Sequence, residues 1–205
     1  MKIKRGSIMN YLAQKNNIEI RKMEDTTEDY RLMTKWLSDE DVLDYYEGRD
    51  NVFDIEKTIR KFRPRAIGED SVTSCIIEIN KNPIGYIQYY LIDTEEYNVS
   101  ESIAIKDDEK SYGIDLFIGE VNSWNKGIGT VALSSLIKYL FECEKADNVF
   151  IDPHCENKRA IRCYEKCGFK PIGIIKNREL FNGRYRDSLI MSISFKEWKS
   201  KVISS

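Results

Sequence analysis

Histidine is nearly absent: His154 is the only one in 205 residues. A Ser–His or Cys–His nucleophile pair would have to use it. The residues around Asp152-Pro153-His154 do not match a nucleophile elbow, so covalent catalysis is not expected. No apolar run approaches the roughly 18 residues of a membrane span, and the first ten residues lack the apolar stretch of a secretory signal. These two absences give the expectation of a cytoplasmic protein with no membrane partner. With a net charge of −2 there is no global basic field, so no nucleic-acid partner is expected. The five cysteines are odd in number and include no Cys-x2-Cys pair. They read as reduced thiols, not as a disulfide framework or a zinc site, and no metal is expected. There is no internal repeat, low-complexity tract or Pro/Gly/Ser-rich linker. The expectation is one domain over residues 18–198. Residues 1–17 are polar, without sustained period, and read as a loose or weakly helical extension that is a candidate for disorder.

The sequence does have enough apolar character, 41% hydrophobic residues, for one sizeable core. Ile18–Arg21 alternates as a short strand. Thr27–Leu37, Asp41–Tyr46 and Asp54–Phe62 carry helical spacing, with Thr26 or Thr27 as the first N-cap, Gly48 as a C-cap and Pro64 as a stop. Ser71–Ile79 and Ile84–Ile92 read as a hairpin around Asn80-Lys81-Asn82-Pro83. A strand is predicted over Tyr112–Ile118, a strong helix over Gly127–Phe141 and a buried strand over Asn148–Ile151. A helix over Asn157–Cys167 is closed by Gly168. Strands at Ile172–Lys176 and Tyr185–Phe195 follow, with Asn182-Gly183 as their turn. This order predicts a mixed α/β (α+β) layer protein with helices against a largely antiparallel sheet.

Two stretches stand out. Between Asp93 and Glu120 nine acidic residues face two lysines, with a short strand expected at Ser102–Ile105. This is either a solvated acidic loop or a rim that attracts a cationic substrate. The second is Trp124-Asn-Lys-Gly-Ile-Gly-Thr130, between a strand and a helix. Glycines at 127 and 129 let backbone N–H groups converge, and the helix adds its positive dipole end. That geometry suits a pyrophosphate, with Lys126 as an extra cation; a tight strand-to-helix turn is the other reading.

Asn157-Lys-Arg-Ala-Ile-Arg-Cys-Tyr-Glu-Lys-Cys-Gly-Phe169 extends the pattern. Together with the glycine loop it resembles the acetyl-coenzyme A site of the GCN5-related N-acetyltransferase (GNAT) superfamily. In that family the next helix carries Asn-x-x-Ala-x-x-x-Tyr-Glu-Lys-x-Gly-Phe. Trp124 stands where the family usually has Gln or Arg, which removes one side-chain contact. Tyr112-Gly-Ile-Asp115-Leu-Phe-Ile-Gly-Glu120, Ile151-Asp152-Pro153, Trp36-Leu37, Tyr45-Tyr46-Glu47-Gly48 and Pro83-Ile-Gly-Tyr-Ile-Gln88 are similar to aminoglycoside 6'-N-acetyltransferases. The resemblance runs from about Ile18 to Phe195.

It implies a GNAT fold: a mixed, mostly antiparallel sheet split by a V-shaped opening and flanked by helices. It implies acetyl transfer from acetyl-CoA to the 6'-amino group of an aminoglycoside, by direct attack in a ternary complex. The cosubstrate would meet Leu116, Phe117 and Ile118 on one strand, Lys126, Gly127, Ile128, Gly129 and Thr130 in the loop, and Asn157, Ala160 and Tyr164 on the following helix. Asp115 and Asp152 would hold the amine, each with a plainer reading as a turn partner or a strand-end cap. Tyr46 and Trp36 would wall the acceptor pocket, although Trp36 also fits a core position, and Glu101 would bind a further ammonium group. Asp115 is the candidate base, but a free carboxylate near ~4 and an ammonium near ~10 leave roughly 8 kcal/mol uphill. Orienting the amine while the proton leaves through water is therefore the preferred role. Tyr164 is the candidate acid for the departing thiolate, or a packing residue for the coenzyme tail. The alternatives are a GNAT enzyme acting on a siderophore-precursor amine or hydroxylamine, and a non-catalytic acyl-CoA sensor. Oligomeric state is left open.

Overall fold

The computed structural model describes residues 11–93, 106 and 108–203. Eight strands form one sheet in the order β1-β2-β3-β4-β5-β6-β8-β7. They are β1 (Tyr11–Lys15), β2 (Ile18–Lys22), β3 (Thr73–Ile79), β4 (Asn82–Leu91), β5 (Ser111–Ile118), β6 (Asn148–Ile151), β7 (Lys170–Phe181) and β8 (Arg184–Ser194). Every neighbouring pair is antiparallel except β5–β6.

Helices cover both faces. On one lie α1 (Thr27–Trp36), α2 (Glu40–Leu43) and α3 (Ile55–Ala66); on the other lie α4 (Ile128–Glu142) and α5 (Lys158–Cys167). The period-2 alternation of the strands decides which side chain meets which layer. Ile76, Tyr86 and Phe117 pack under α1 and α3, while Ile77, Ile87 and Ile114 pack under α4. Helix starts follow their caps: Thr26 accepts from Asp29 N, Asp54 from Lys57 N and Asn157 from Ala160 N. Each such cap stabilises its helix by about 1 kcal/mol.

The structure differs from the sequence reading at four places. Residues 11–15 are not loose: they pair with β2 and bury part of their apolar face against α4, so the domain begins before residue 18. α3 runs through Pro64 instead of stopping before it. A proline in the last turn removes one backbone hydrogen bond, while the turn keeps Phe62 fully buried and carries Arg65 to the sheet. The hairpin turn is only Asn80-Lys81, both with positive φ, and Pro83 already sits in β4 opposite Glu78 at a register shift. Finally, β8 gives way to a sixth helix, α6 (Phe195–Ile203), where a strand end was expected. The expected strand at 102–105 lies outside the described residues.

The feature that makes a site is how β5 and β6 part. They pair only over Ser111–Gly113 and Asn148–Phe150. Beyond that, β5 stays with β4 as far as Ile118, and the chain after β6 stays with β8 through an isolated His154–Ser188 bridge. Each strand follows its outer partner, and a gap opens between them.

Candidate active site

The gap leads into a cavity of about 740 Å³ that reaches from α3 to the outer end of α5. Its head is the glycine loop. Gly127 adopts φ +76, a conformation an L side chain rarely takes, and starts α4 with no side-chain cap. The first-turn N–H groups of a helix have no partner within the helix, and the macrodipole adds positive potential there. Such an end favours negative charge. Ile128, Gly129, Thr130, Asn157 and Ala160 line it, whereas Lys126 is exposed and off the cavity wall.

Trp124 does something other than a Gln or Arg would. Its indole N–H donates to Ile118 O at 2.7 Å, fastening the loop to the end of β5. The Arg159 guanidinium lies 4.0 Å from its ring and 4.3 Å from that of Tyr45. A cation held between two aromatic faces gains about 0.5–2 kcal/mol. The cluster, in which the two rings meet at 86°, joins α5 to the segment after α2 on the cavity wall.

Leu116, Phe117 and Ile118 border the cavity on the β5 edge, and Tyr164 borders it from α5. Burial first, then the acidic neighbours including Asp115 and Asp152, push the Tyr164 phenol well above its ordinary range, so it stays protonated at any working pH. Asp115 lies on the α3 face of β5 and its Oδ2 accepts from Gln88 Nε2 at 2.7 Å. Burial raises its pKa, opposed by that hydrogen bond and by Arg65. Asp152, one residue past β6, faces Arg178 at 3.1 Å, and burial followed by the Asp115 charge pushes it up as well. Two acids in one cavity each make ionising the other harder.

The remaining expected residues divide. Tyr46 lines the cavity and packs on Phe117 with ring centroids 4.7 Å apart. Trp36 does not line it: the residue is 0% exposed, its indole N–H donates to Glu120, and its ring fills the space beside Gly119. A Cβ on Gly119 would come within 2.2 Å of that ring, so Trp36 is core that braces the end of β5. Glu101 lies outside the described residues. His154 is buried against Phe181, its Nδ1 has no hydrogen-bond partner, and burial lowers its pKa. Its other nitrogen faces Glu179 at 3.5 Å, so no nucleophile is paired with it. Among the described residues no group of three or more His, Cys, Asp or Glu is placed to hold a metal, and no helix is long and apolar enough to cross a membrane.

Sequence reasoning missed Arg65, Arg178 and Glu179 on the acidic side of the wall. Glu47 and Gln88 carried a signal, since they fall in Tyr45-Tyr46-Glu47-Gly48 and Pro83-Ile-Gly-Tyr-Ile-Gln88, but had no role assigned. The β7 residues arrive through a register shift between Ile175 and Glu179, with Asn177 at φ +50. Such a bulge re-aims side chains, and nothing local in the sequence announces it.

The sheet opens between two parallel strands, with an uncapped helix start at one end of the gap and two buried acids at the other. Residues 25–177 match the acetyltransferase (GNAT) domain, and the chain belongs to that family. An aminoglycoside N(6')-acetyltransferase type 1 from Klebsiella pneumoniae is 29% identical over 150 residues, 73% of each chain. A kanamycin resistance protein from Rhizobium radiobacter is 38% identical over 63 residues, 31% of this chain and 58% of that one. Among solved structures, aminoglycoside acetyltransferase AAC(6')-Ib in complex with coenzyme A superposes with a TM-score of 0.73 at 23% identity, covering 90% of this chain and 99% of that one. A spermidine N-acetyltransferase from Vibrio cholerae, with CoA and spermine, gives 0.73 at 18% identity over the same shares.

Proposed function

We propose that this protein transfers the acetyl group of acetyl-CoA to the 6'-amino group of an aminoglycoside, by direct attack within a ternary complex. The observation that carries the reading is the convergence of Asp115, Asp152 and Tyr164 on the same cavity as the glycine loop and the free edge of β5. The similarity to aminoglycoside N(6')-acetyltransferases supports the choice of acceptor.

The pyrophosphate of the cosubstrate sits on the first turn of α4, and the pantetheine arm runs along the unpaired edge of β5 near Leu116–Ile118. Ammonium groups of the acceptor pair with Asp115 and Asp152 by charge-assisted hydrogen bonds. One ammonium group gives a proton to water and the neutral amine attacks the thioester carbon; the C–N bond forms as the C–S bond breaks, and the nitrogen sheds its second proton to water. The raised pKa of Asp115 narrows the proton gap of a free carboxylate, so the residue orients the amine and eases its deprotonation. A backbone N–H of β5 polarises the carbonyl, and Tyr164 supplies a proton to the leaving thiolate. Much of the rate comes from holding two substrates in line.

The test is an acetylation assay with acetyl-CoA against a panel of aminoglycosides, polyamines and alkyl hydroxylamines, with the product site read by NMR. A 6'-N-acetylated aminoglycoside is the expected product. Turnover confined to polyamines or hydroxylamines would overturn the acceptor, and coenzyme binding without turnover of any amine would overturn the catalytic reading.

A further inference from the structure

The acceptor side of the cavity holds a buried polar chain whose protons are fixed by their neighbours. Arg65 Nη1 donates to Gln88 Oε1 at 2.8 Å, and Tyr86 Oη donates to the same oxygen at 2.6 Å. A guanidinium can only donate. The Gln88 amide therefore turns its oxygen to Arg65 and its nitrogen to Asp115. Flipping it would set two donors together at Arg65 and two acceptors together at Asp115. Tyr86 has one hydroxyl proton and gives it to Gln88, so the 2.6 Å contact between Ser74 Oγ and Tyr86 Oη runs from serine to tyrosine.

Arg65 is itself held in place. Its Nε lies 3.3 Å from Asp70 Oδ2, its guanidinium lies over the Phe62 ring at 5.6 Å, and its side chain is 16% exposed. It comes from the turn of α3 that continues past Pro64.

We propose that Arg65 is a positioning residue for acetyl transfer: it locks the Gln88 amide so that Gln88 holds one oxygen of Asp115 and leaves the other for the acceptor amine. The inference rests on the reading of Asp115 as the group that receives that amine. The charged and titratable groups facing Asp115 are Lys61 and Arg65 from α3, Tyr46 after α2, Asp152 after β6, Tyr164 from α5, and Arg178 and Glu179 from β7. Arg65 is tied to Asp115 through a hydrogen-bonded link. Removing it takes away a contribution that favours the carboxylate, so Asp115 titrates higher and the acidic limb of kcat/KM moves to higher pH.

The experiment compares wild type, Arg65→Met, Arg65→Lys, Gln88→Leu and the Met–Leu double variant. Two readouts are taken: the Asp115 carboxyl titration by carbon-13 NMR in the substrate-free protein, assigned with Asp115→Asn, and kcat/KM against pH. Arg65→Met is expected to raise the Asp115 midpoint by about half a unit or more, with Arg65→Lys in between. Coenzyme A affinity by calorimetry is expected to stay within about twofold, because the relay touches none of the loop that receives the anion. In the Gln88→Leu background the Arg65→Met shift is expected to shrink. An unmoved midpoint, an equal loss of rate at every pH, or a shift undiminished in Gln88→Leu would each overturn the proposal. Failure to acetylate any amine would instead remove the proposed function, while the titration would still decide whether Arg65 acts on Asp115.

Discussion

Arg21, Asp29 and Glu78 form one buried charge cluster in this sheet, and Asp115 with Asp152 forms another. In the first, Arg21 donates twice to Asp29 and once to Glu78, each at 2.7 Å, and Glu24 N adds a bond to Asp29. Burial opposes the Arg21 charge, but the bonds to its two acids outweigh it and hold the guanidinium ionised. In the second, Asp115 leans on a neutral amide and Asp152 on Arg178 at 3.1 Å, and both acids titrate high. Both clusters contain more acid than base at their centre. The first is held by three short bonds from Arg21 and joins α1 to β2 and β3. The second opens onto a cavity, and its protein cations, Arg178 beside Asp152 and Arg65 behind Gln88, leave one face of the acids open. The first cluster ties elements of the fold together, whereas the second borders a cavity with room for a further cation.

The contrast can be broken at four points. Asp115→Asn should lower kcat by about 10²–10⁴-fold while the protein stays folded; steady-state rates beside a melting curve read this. Arg21→Met should do the reverse, costing about 3–5 kcal/mol of stability because two acids are left buried without their cation. Urea unfolding measures that loss, and the folded fraction should keep near-normal turnover at low temperature. Tyr164→Phe should cost about 10- to 100-fold in kcat, at the low end for a general acid because a thiolate leaves readily. Its rate deficit should be flat with pH, since the phenol stays protonated throughout.

Asp152→Asn should give the smallest effect on stability, and of opposite sign. A carboxyl with a raised folded pKa contributes stability below its unfolded value near ~4, and that contribution is lost as pH rises through the folded value. At pH 8 the ionised, buried Asp152 is therefore a cost. The Asn variant should melt about 2–4 °C higher there, a gain of about 1 kcal/mol that fades toward pH 4. The same substitution should weaken binding of a polycationic acceptor, measured by calorimetry. Wild-type acceptor affinity should climb as pH rises through the raised Asp152 pKa, because only the carboxylate pairs with an ammonium group.

Much of the fold could be read from local pattern. The strong period of residues 128–141 and the cap residues Thr26, Asn157 and Gly168 place helices where they occur. The glycine loop is legible because Gly127 needs positive φ and the next helix needs a start, both properties of neighbouring residues. Trp36 shows the limit. Its helical face alone does not say whether that face meets a ligand or the sheet, and Gly119 beneath it is 83 residues away. Pro64 misled for a related reason: a proline that stops an isolated helix is tolerated when packing of Phe62 and the Arg65 contact holds the last turn.

The run of elements from Ile18 to Ser194, the glycine turn before α4 and the family pattern from Asn157 to Phe169 were legible in the chain, because each depends on residues a few positions apart. Which side chains meet at the site depended on the folded arrangement. Gln88 and Asp115 come together through strand register, Arg65 through the packing of α3 on the sheet, and Arg178 through an irregularity in β7. Those meetings are fixed by long-range ladders and packing, and no local periodicity encodes them.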